Sequence, residues 1–136
     1  MTKLVMTKIG MKTSIQRIHA RRIWDSRGRP TVEVDVHLQD GSMGRGVAPA
    51  GASRGSREAL ELRDGGTHLG GLDVMNAVAH VNGEITKALT GKNALDQTGA
   101  DQTLIELDGT PLKSRLGANA TIATSLAIAQ AAATSQ

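Results

Sequence analysis

The stretch TVEVDVHL, residues 31–38, alternates polar and apolar side chains without interruption. Successive side chains of a β-strand point to opposite faces of a sheet, so this period of two predicts a half-buried strand. The apolar face of the predicted strand is formed by Val32, Val34, Val36 and Leu38. The polar residues between them are Thr31, Glu33, Asp35 and His37.

The residues on either side of this strand predict two more strands. Asp40-Gly41 suits the positive backbone angles of a tight hairpin, so residues 42–48 are expected to return as a shorter strand that Pro49 ends. Upstream, residues 15–24 are rich in β-branched side chains. We expect the three strands to form one antiparallel sheet, in which the first strand carries outward-reaching arginines: Arg17, Arg21 and Arg22.

The second half of the chain has a helical period. A first helix is predicted between Gly71 and Gly91, where the residues that recur at helical spacing are Met75, Val78, Asn82, Ile85 and Leu89. A shorter helix is predicted over residues 97–107, with Asp101 near its start, and a third begins near Asn119. The predicted fold class is therefore α+β, a three-stranded antiparallel sheet followed by a helical subdomain.

The third helix has an unusual composition. Residues 116–136 contain no charged side chain and are rich in alanine, so the helix lacks a solvated face. It is too polar to span a bilayer, and we expect protein to pack on most of its sides. One sheet and two helices cover only part of it. We therefore expect its remaining neighbour to lie in a following domain or in another subunit.

Composition excludes several classes of function. The 136 residues contain no cysteine, which rules out disulfides, thiolate zinc sites and thiol nucleophiles and fits a reducing compartment. The net charge of +3 divides into +6 for residues 1–63 and −3 for residues 64–136. A basic half suits a nucleic acid, an anionic small molecule or an acidic partner surface. Because Trp24 is the only aromatic residue and no basic run occurs, no nucleic-acid partner is expected.

Residues 1–14 lack the continuous apolar stretch that a signal peptide needs. We interpret them as a flexible leader, and we expect a cytoplasmic protein with no membrane partner.

Residues 49–57, PAGASRGSR, connect the sheet to the helices. From composition alone, a mobile crossover loop and a functional lid are equally good interpretations. In the second, small residues bring backbone groups and a hydroxyl close to an anion or a metal. The segment is not a Walker phosphate loop, because no Gly-Lys-Ser/Thr follows its glycines.

Other polar residues are interpreted as structural. Residues 25–30, DSRGRP, have the composition of a turn, although Arg27 and Arg29 would suit a carboxylate or a phosphate. Glu58 and Glu61 are read as surface residues. The four histidines lack metal-ligand spacing and are read as solvent-facing or packing residues: His19, His37, His68 and His80.

Three separated motifs carry a resemblance to a known family. They are DSRGxPTVEV at residues 25–34, GASxGxxEALELRD at residues 51–64, and LDGT…KSxLGANA at residues 107–120. In this order they resemble enolase. The similarity covers residues 15–133 and corresponds to the amino-terminal cap domain. We therefore assign residues 15–136 to an enolase N-terminal-like cap domain, with the barrel domain absent.

The resemblance implies a function for the segment after the sheet. Enolases interconvert 2-phosphoglycerate and phosphoenolpyruvate with two magnesium ions. By resemblance, the substrate loop that closes over the site comprises Gly51, Ala52, Ser53, Arg54 and Gly55. Ser53 would supply a ligand to the second Mg²⁺. The family's catalytic base, its acidic partner and the ligands of the first ion lie in the barrel. No residue here matches them, so the chain alone is expected to be inactive and to hold Mg²⁺ only with a barrel.

The sequence departs from the family pattern at four places, where Ala50 replaces Ser, Arg54 replaces Thr, Arg29 replaces Asn and Leu112 replaces Asn. Arg54 places a long cation beside the proposed metal ligand, where it would either repel magnesium or contact the substrate phosphate.

Two hypotheses of function follow. In the first, the chain is the cap of an enolase, supplies the closing loop and a dimer surface, and works with a barrel domain or another subunit in a homo-oligomer. In the second, it is a catalytically inactive, enolase-derived interaction module that self-associates through the uncharged helix of residues 116–136.

Overall fold

The predicted three-stranded sheet is present in the computed structural model, which describes residues 12–48 and 60–136. The strands are β1 (Ile15–Trp24), β2 (Pro30–Leu38) and β3 (Met43–Val47). They pair antiparallel in the order β1-β2-β3. The bounds of β1 agree with the prediction, β2 begins one residue earlier than predicted, and β3 is shorter than predicted by one residue at each end.

The alternation in β2 predicts one buried face and one face open to solvent, but the polar face is also partly buried. The four apolar residues are 0% exposed, as predicted. On the other face, however, Thr31 is 3% and Asp35 9% exposed. Asp35 is covered because Arg21 of β1 and Arg45 of β3 extend across β2 and bind its carboxylate. The polar face of the strand is thus a paired, largely covered layer.

Three helices follow a short 3₁₀ turn at His68–Gly71. Helix α1 covers residues 75–89, and is α-helical over Met75–His80 and Thr86–Leu89 with a π-helical segment, Val81–Ile85, between them. Helix α2 is Gln97–Asp108 and α3 is Ala118–Ser135. Asp96 caps α2 by accepting from the Gly99 amide at 3.0 Å, and left-handed Gly109 (φ 73°) ends it.

The predicted stripe of α1 is partly wrong. Val78, Ile85 and Leu89 are buried, whereas Met75 is 45% exposed and Asn82 lies on the surface. Buried Val81 belongs to the inner face instead, at the ordinary helical spacing of three residues after Val78 and four before Ile85. The predicted period therefore located the helix correctly and misassigned part of its inner face.

Helix α3 packs against β3 and β2 at very short range. Its buried stripe is Ala123, Ala127 and Ala131, each 0% exposed. A side chain on Gly44 or Gly46 of β3 would overlap the α3 backbone. The far side of α3 exposes Ile122 by 41% and Leu126 by 48%, as expected for a helix that this domain covers only in part.

The described end of the predicted leader belongs to the folded domain. The Asp40 amide donates to the Lys12 carbonyl at 2.9 Å, the Ala94 amide to Thr13 at 2.9 Å and the Gln39 amide to Ser14 at 3.0 Å. The leader prediction for residues 1–14 is therefore corrected at residues 12–14, and residues 1–11 lie outside the described chain. Within the described residues, no helix is long and apolar enough to cross a membrane.

Candidate functional site

The predicted substrate loop lies outside the described residues, so its role and the role of Ser53 as a magnesium ligand stay predictions. The loop residues are Gly51, Ala52, Ser53, Arg54 and Gly55. The structure does give both ends of the span of residues 49–59 that contains the loop. We call Ala48 the incoming end and residues 60–62 the outgoing end.

The incoming end is fixed by the sheet. The Ala48 amide donates to the Val32 carbonyl at 3.0 Å. The Ala48 carbonyl accepts from the Thr31 hydroxyl at 2.7 Å, and Thr31 is only 3% exposed. Because a buried hydroxyl without a partner is costly, this bond explains a polar residue at a covered position of β2. Both backbone groups of Ala48 are thereby held.

The outgoing end is fixed by the segment that leads into α3. The Leu60 amide donates to the Leu112 carbonyl, and the Leu60 carbonyl accepts from the Ala118 amide, each at 2.7 Å. The Asn119 side chain then continues this pairing. Its Oδ1 accepts from the Leu62 amide at 3.0 Å, and its Nδ2 donates to the Leu62 carbonyl at 3.0 Å. Asn119 thus acts on Leu62 as a neighbouring strand would.

Gly117 makes room for this contact. Its φ of 98° lies in the left-handed region that favours glycine. A Cβ there would lie 2.5 Å from the Leu62 Cβ and 2.6 Å from Asn119 Oδ1. Any other residue would therefore push residues 60–62 away from α3.

Asp108 shapes the turn that presents these backbone groups. Its carboxylate, 2% exposed, accepts from the Leu116 amide at 2.8 Å and from both the amide and the hydroxyl of Thr110. Burial acts to raise the pKa of Asp108, but these hydrogen bonds outweigh it and the pKa is lowered. The turn between α2 and α3 is therefore closed around a buried, ionised carboxylate.

Arg63 and Asp64 tie the residues after the outgoing end to the rest of the domain. Arg63 Nη1 donates to the carbonyls of Pro30 at 2.6 Å and Leu72 at 2.7 Å. Arg63 also forms an ion pair of 3.0 Å with Glu61, which agrees with the structural interpretation of that glutamate. The Asp64 carboxylate accepts from the first amides of α1, those of Met75 and Asn76, each at 2.9 Å.

Residues 25–30 form the predicted turn around Asp25. The Asp25 carboxylate accepts from the amides of Arg27 and Arg29, each at 2.9 Å. The Arg29 amide is the largest cause that holds the pKa of Asp25 below its ordinary value. Arg29 also lies 3.6 Å from this carboxylate. The Nε and Nη2 groups of Arg29 are buried and have no hydrogen-bond partner among the described residues, so this ion pair leaves the interpretation of Arg29 as an anion ligand open.

Within residues 12–48 and 60–136, no three His, Cys, Asp or Glu side chains gather as metal ligands. The acidic residues closest to the substrate loop in the described sequence, Glu61 and Asp64, are committed to Arg63 and to α1. Among the histidines, His80 contacts the Leu116 carbonyl at 3.1 Å and His68 lies 3.5 Å from Asp73.

Sequence reasoning missed how the two ends are held. The alternation of β2 places Thr31 on the polar face of the strand, and Asn119 is predicted only as the start of the third helix and as part of a motif. The available signal was an asparagine inside an uncharged, alanine-rich helix, where a polar side chain needs a partner. Its partner lies 57 residues away in the sequence, and no local pattern identifies it. Described residues of all three motifs thus take part in the hydrogen bonds that hold Ala48 and residues 60–62.

Comparison with known proteins agrees with this arrangement. Residues 15–136 match the family described as enolase, N-terminal domain. Over 126 residues the chain is 60% identical to Enolase 1 of Lactococcus lactis subsp. cremoris (strain SK11) and 59% identical to Enolase 2 of Lactococcus lactis subsp. lactis (strain IL1403). It is 58% identical to Enolase of Streptococcus thermophilus. Each alignment covers 93% of this chain, which spans about 30% of the length of these relatives.

Proposed function

This chain belongs to the enolase family as its amino-terminal domain, and from that premise we propose that it serves as the cap of an enolase. The activity is that of the glycolytic lyase that interconverts 2-phosphoglycerate and phosphoenolpyruvate. In this proposal, a barrel domain carries the groups that move the proton. The cap supplies the substrate loop and a surface for a dimer, in the cytoplasm.

The observation that carries the proposal is that the positions on both sides of residues 49–59, Ala48 and residues 60–62, are held by hydrogen bonds. The incoming end is bonded to β2 and the outgoing end to α3 and the turn before it. A loop that closes over a substrate excludes water and completes the site only if its ends are held in register with the rest of the enzyme. The cap residues therefore act by positioning, and none of them is assigned a proton-transfer step.

Ser53 is the one residue of the substrate loop that we assign to a metal. A serine hydroxyl is an oxygen donor, the ligand class that Mg²⁺ prefers. When bound, the ion would stabilise negative charge that develops on the substrate. Arg54 beside it would contact the substrate phosphate or weaken metal binding, and measured magnesium dependence distinguishes the two.

The test joins this chain to the remainder of Lactococcus Enolase 1 in place of that enzyme's matching 126 residues. We expect the chimera to form phosphoenolpyruvate from 2-phosphoglycerate and the unjoined chain to form none. Ser53→Ala in the chimera should raise the magnesium concentration for half-maximal activity about tenfold, because one of several oxygen ligands is lost. A folded chimera without activity would sink the proposal, and turnover by the unjoined chain would contradict the assignment of catalysis to the barrel.

A second candidate function rests on the exposed side of α3. Ile122 and Leu126 are 41% and 48% exposed on a helix without charge. Ile122 also lines a cavity of about 260 Å³ between α2 and α3. An exposed apolar face is typical of an interaction surface, because its contact with water is unfavourable. It therefore supports the alternative of an inactive module that self-associates. Light scattering of the purified chain over a range of concentrations measures its molecular mass and so tests whether it self-associates.

A further inference from the structure

Asn82 and Gly83 form the only asparagine–glycine pair in the sequence, and both residues are exposed on α1. A glycine after an asparagine has no side chain, so its backbone nitrogen can reach the asparagine side chain more easily than in other pairs. This approach is the first step of deamidation, a spontaneous reaction of asparagine. The remaining asparagines all precede alanine, namely Asn76, Asn93 and Asn119.

Deamidation at this pair uses only the chain itself and water. The Gly83 nitrogen forms a bond to Asn82 Cγ while the bond between Cγ and Nδ2 breaks. The proton that the Gly83 nitrogen loses leaves with Nδ2 as ammonia, and a five-membered ring remains. Water then opens this ring: its hydroxyl group adds to one of the two ring carbonyl carbons, and its proton goes to the Gly83 nitrogen. The product is aspartate or isoaspartate, depending on which carbon–nitrogen bond breaks.

The fold holds the Asn82 side chain away from this reaction. Its Oδ1 accepts from the Ala20 amide at 2.7 Å, and its Nδ2 donates to the Ala20 carbonyl at 3.1 Å. Both polar atoms are thus bound to the edge of β1 that does not pair with β2. Reacting atoms must approach to about 3–3.5 Å in the correct direction. Asn82 Cγ reaches that position over the Gly83 nitrogen only after its amide group has left Ala20.

Thr86 supports the same contact one turn later. Its hydroxyl donates to the Val81 carbonyl at 2.7 Å and lies 3.4 Å from the Ile18 carbonyl, on the same edge of β1. Local separation of a helix from its neighbour breaks only the contacts between them, so it requires less free energy than complete unfolding. The frequency with which α1 separates from β1 therefore sets how often Asn82 is free to react.

We propose that Asn82 is a deamidation site of this protein, which the contact with Ala20 keeps unreactive while α1 lies against β1 and which reacts when the two separate. The product does not restore the contact. An ionised aspartate has no group that donates to the Ala20 carbonyl, and an isoaspartate also lengthens the backbone of α1. Each modified molecule therefore has a weaker attachment of α1 to β1. None of these steps depends on the proposed function.

The first experiment measures the reaction in the purified chain in mildly alkaline buffer, both folded and in guanidinium chloride. Mass spectrometry of the tryptic peptide of residues 64–87 detects conversion of Asn82, and exposed Asn76 in the same peptide is the internal control. We expect Asn82 to react faster than Asn76 in the unfolded chain, and at least about tenfold more slowly in the folded chain than in the unfolded one. Equal folded and unfolded rates at Asn82, or equal rates at the two asparagines in denaturant, would overturn the proposal.

The second experiment tests whether separation of α1 from β1 controls the rate. Thr86→Val removes the hydroxyl and should raise the folded rate at Asn82 about threefold or more, without changing the rate in denaturant. Thr90→Val is the matched control, because the Thr90 hydroxyl donates to α1 itself, to the Thr86 carbonyl at 2.6 Å. Gly83→Ala should suppress the reaction in both states, and nothing lies within 4 Å of the added methyl group. If Thr86→Val and Thr90→Val change the folded rate equally, the contact with β1 does not control the reaction and the proposal is wrong.

The third experiment measures what the modification does to the fold. Ion exchange separates modified from unmodified molecules of one aged sample by the added negative charge, so the unmodified fraction is the control. We expect the modified fraction to unfold at a lower denaturant concentration and to exchange the Ala20 amide hydrogen faster. Equal unfolding midpoints and equal exchange in the two fractions would contradict the inferred weakening of the contact between α1 and β1.

Discussion

At the scale of single residues, four charged side chains on the outer face of the sheet form a network of ion pairs. The Asp35 carboxylate binds Arg45 Nε at 2.7 Å and Arg21 Nη2 at 2.8 Å, and Arg21 Nε binds Glu33 at 2.9 Å. The hydrogen bond from Arg45 is the largest cause that lowers the pKa of Asp35 to about 2 from its ordinary 3.8. The carboxylate thus joins the three strands through their side chains.

This network predicts an acid-sensitive part of the stability. Since the folded pKa of Asp35 is below its ordinary value, its contribution is present above about pH 4 and is lost as the pH falls through about 2. Asp35→Asn should lower the free energy of unfolding by about 1–2 kcal/mol at pH 7. In urea titrations, the difference from the parent should shrink between pH 4 and pH 2. Glu106→Gln, on the exposed side of α2, is the control. If the difference in the free energy of unfolding between Asp35→Asn and the parent stays constant with pH, this role of the carboxylate is contradicted.

The same scale shows what sequence could not predict. The alternation of residues 31–38 correctly identified the buried valines of β2. It also suggested that Asp35 faces water, because a period of two distinguishes only the two faces of a strand. Whether the second face is covered depends on long arginine side chains from the neighbouring strands. Their contact with Asp35 depends on the register in which β1 and β3 pair with β2, and this register cannot be read from the sequence.

At the scale of elements, the alanine content of α3 has a physical reason. The buried stripe of Ala123, Ala127 and Ala131 meets the two glycines of β3, so helix and strand approach without intervening side chains. Sequence reasoning located the helix from its composition and expected it to be packed by protein. It did not pair the alanines with the glycines, because each group alone is common in loops and helices. The contact between α3 and β3 explains why the helix needs alanines and the strand needs glycines at these positions.

This contact predicts a large effect of one methyl group. In Gly46→Ala, the new Cβ would overlap the Ala123 carbonyl oxygen and the Ala127 amide nitrogen, which belong to a rigid helix backbone. We expect the free energy of unfolding to fall by about 3 kcal/mol, measured by chemical denaturation. Gly83→Ala is the matched control, because nothing lies within 4 Å of its Cβ and its backbone is helical. It should be neutral or stabilise by up to about 1 kcal/mol. Equal effects of the two variants would disprove the close approach.

At the scale of the whole molecule, several arginines of the basic first half are paired with carboxylates of the described fold. Arg21 and Arg45 bind Asp35, Arg63 binds Glu61, and Arg22 reaches across to Asp73 before α1 at 2.9 Å. The last pair links the sheet to the helical layer. The charge sum of +6 for residues 1–63 does not show which charges are paired. Arg21, Arg45 and Arg63 bind acids that this sum already counts, and only Arg22 binds an acid of the second half, so most of the excess positive charge remains.

The apolar outer side of α3 predicts the behaviour of the chain in solution. If the second candidate function is correct, sedimentation should show concentration-dependent association of the unmodified chain. Leu126→Gln should then weaken association about tenfold or more, since a half-exposed leucine would be buried on contact. Leu95→Gln is the control, because Leu95 is also 48% exposed but lies before α2, away from this face. A chain that is monomeric at all concentrations would exclude self-association through α3.

The attachments of Ala48 and of residues 60–62 have a consequence for protein engineering. The hydrogen bonds described at these positions are made with β2, with α3 and with the turn before it. Ala48 and residues 60–62 are therefore two attachment points, at a fixed distance from each other, for an inserted sequence. A foreign segment of similar length, such as a peptide epitope, can be inserted there, and the scaffold should keep its melting temperature.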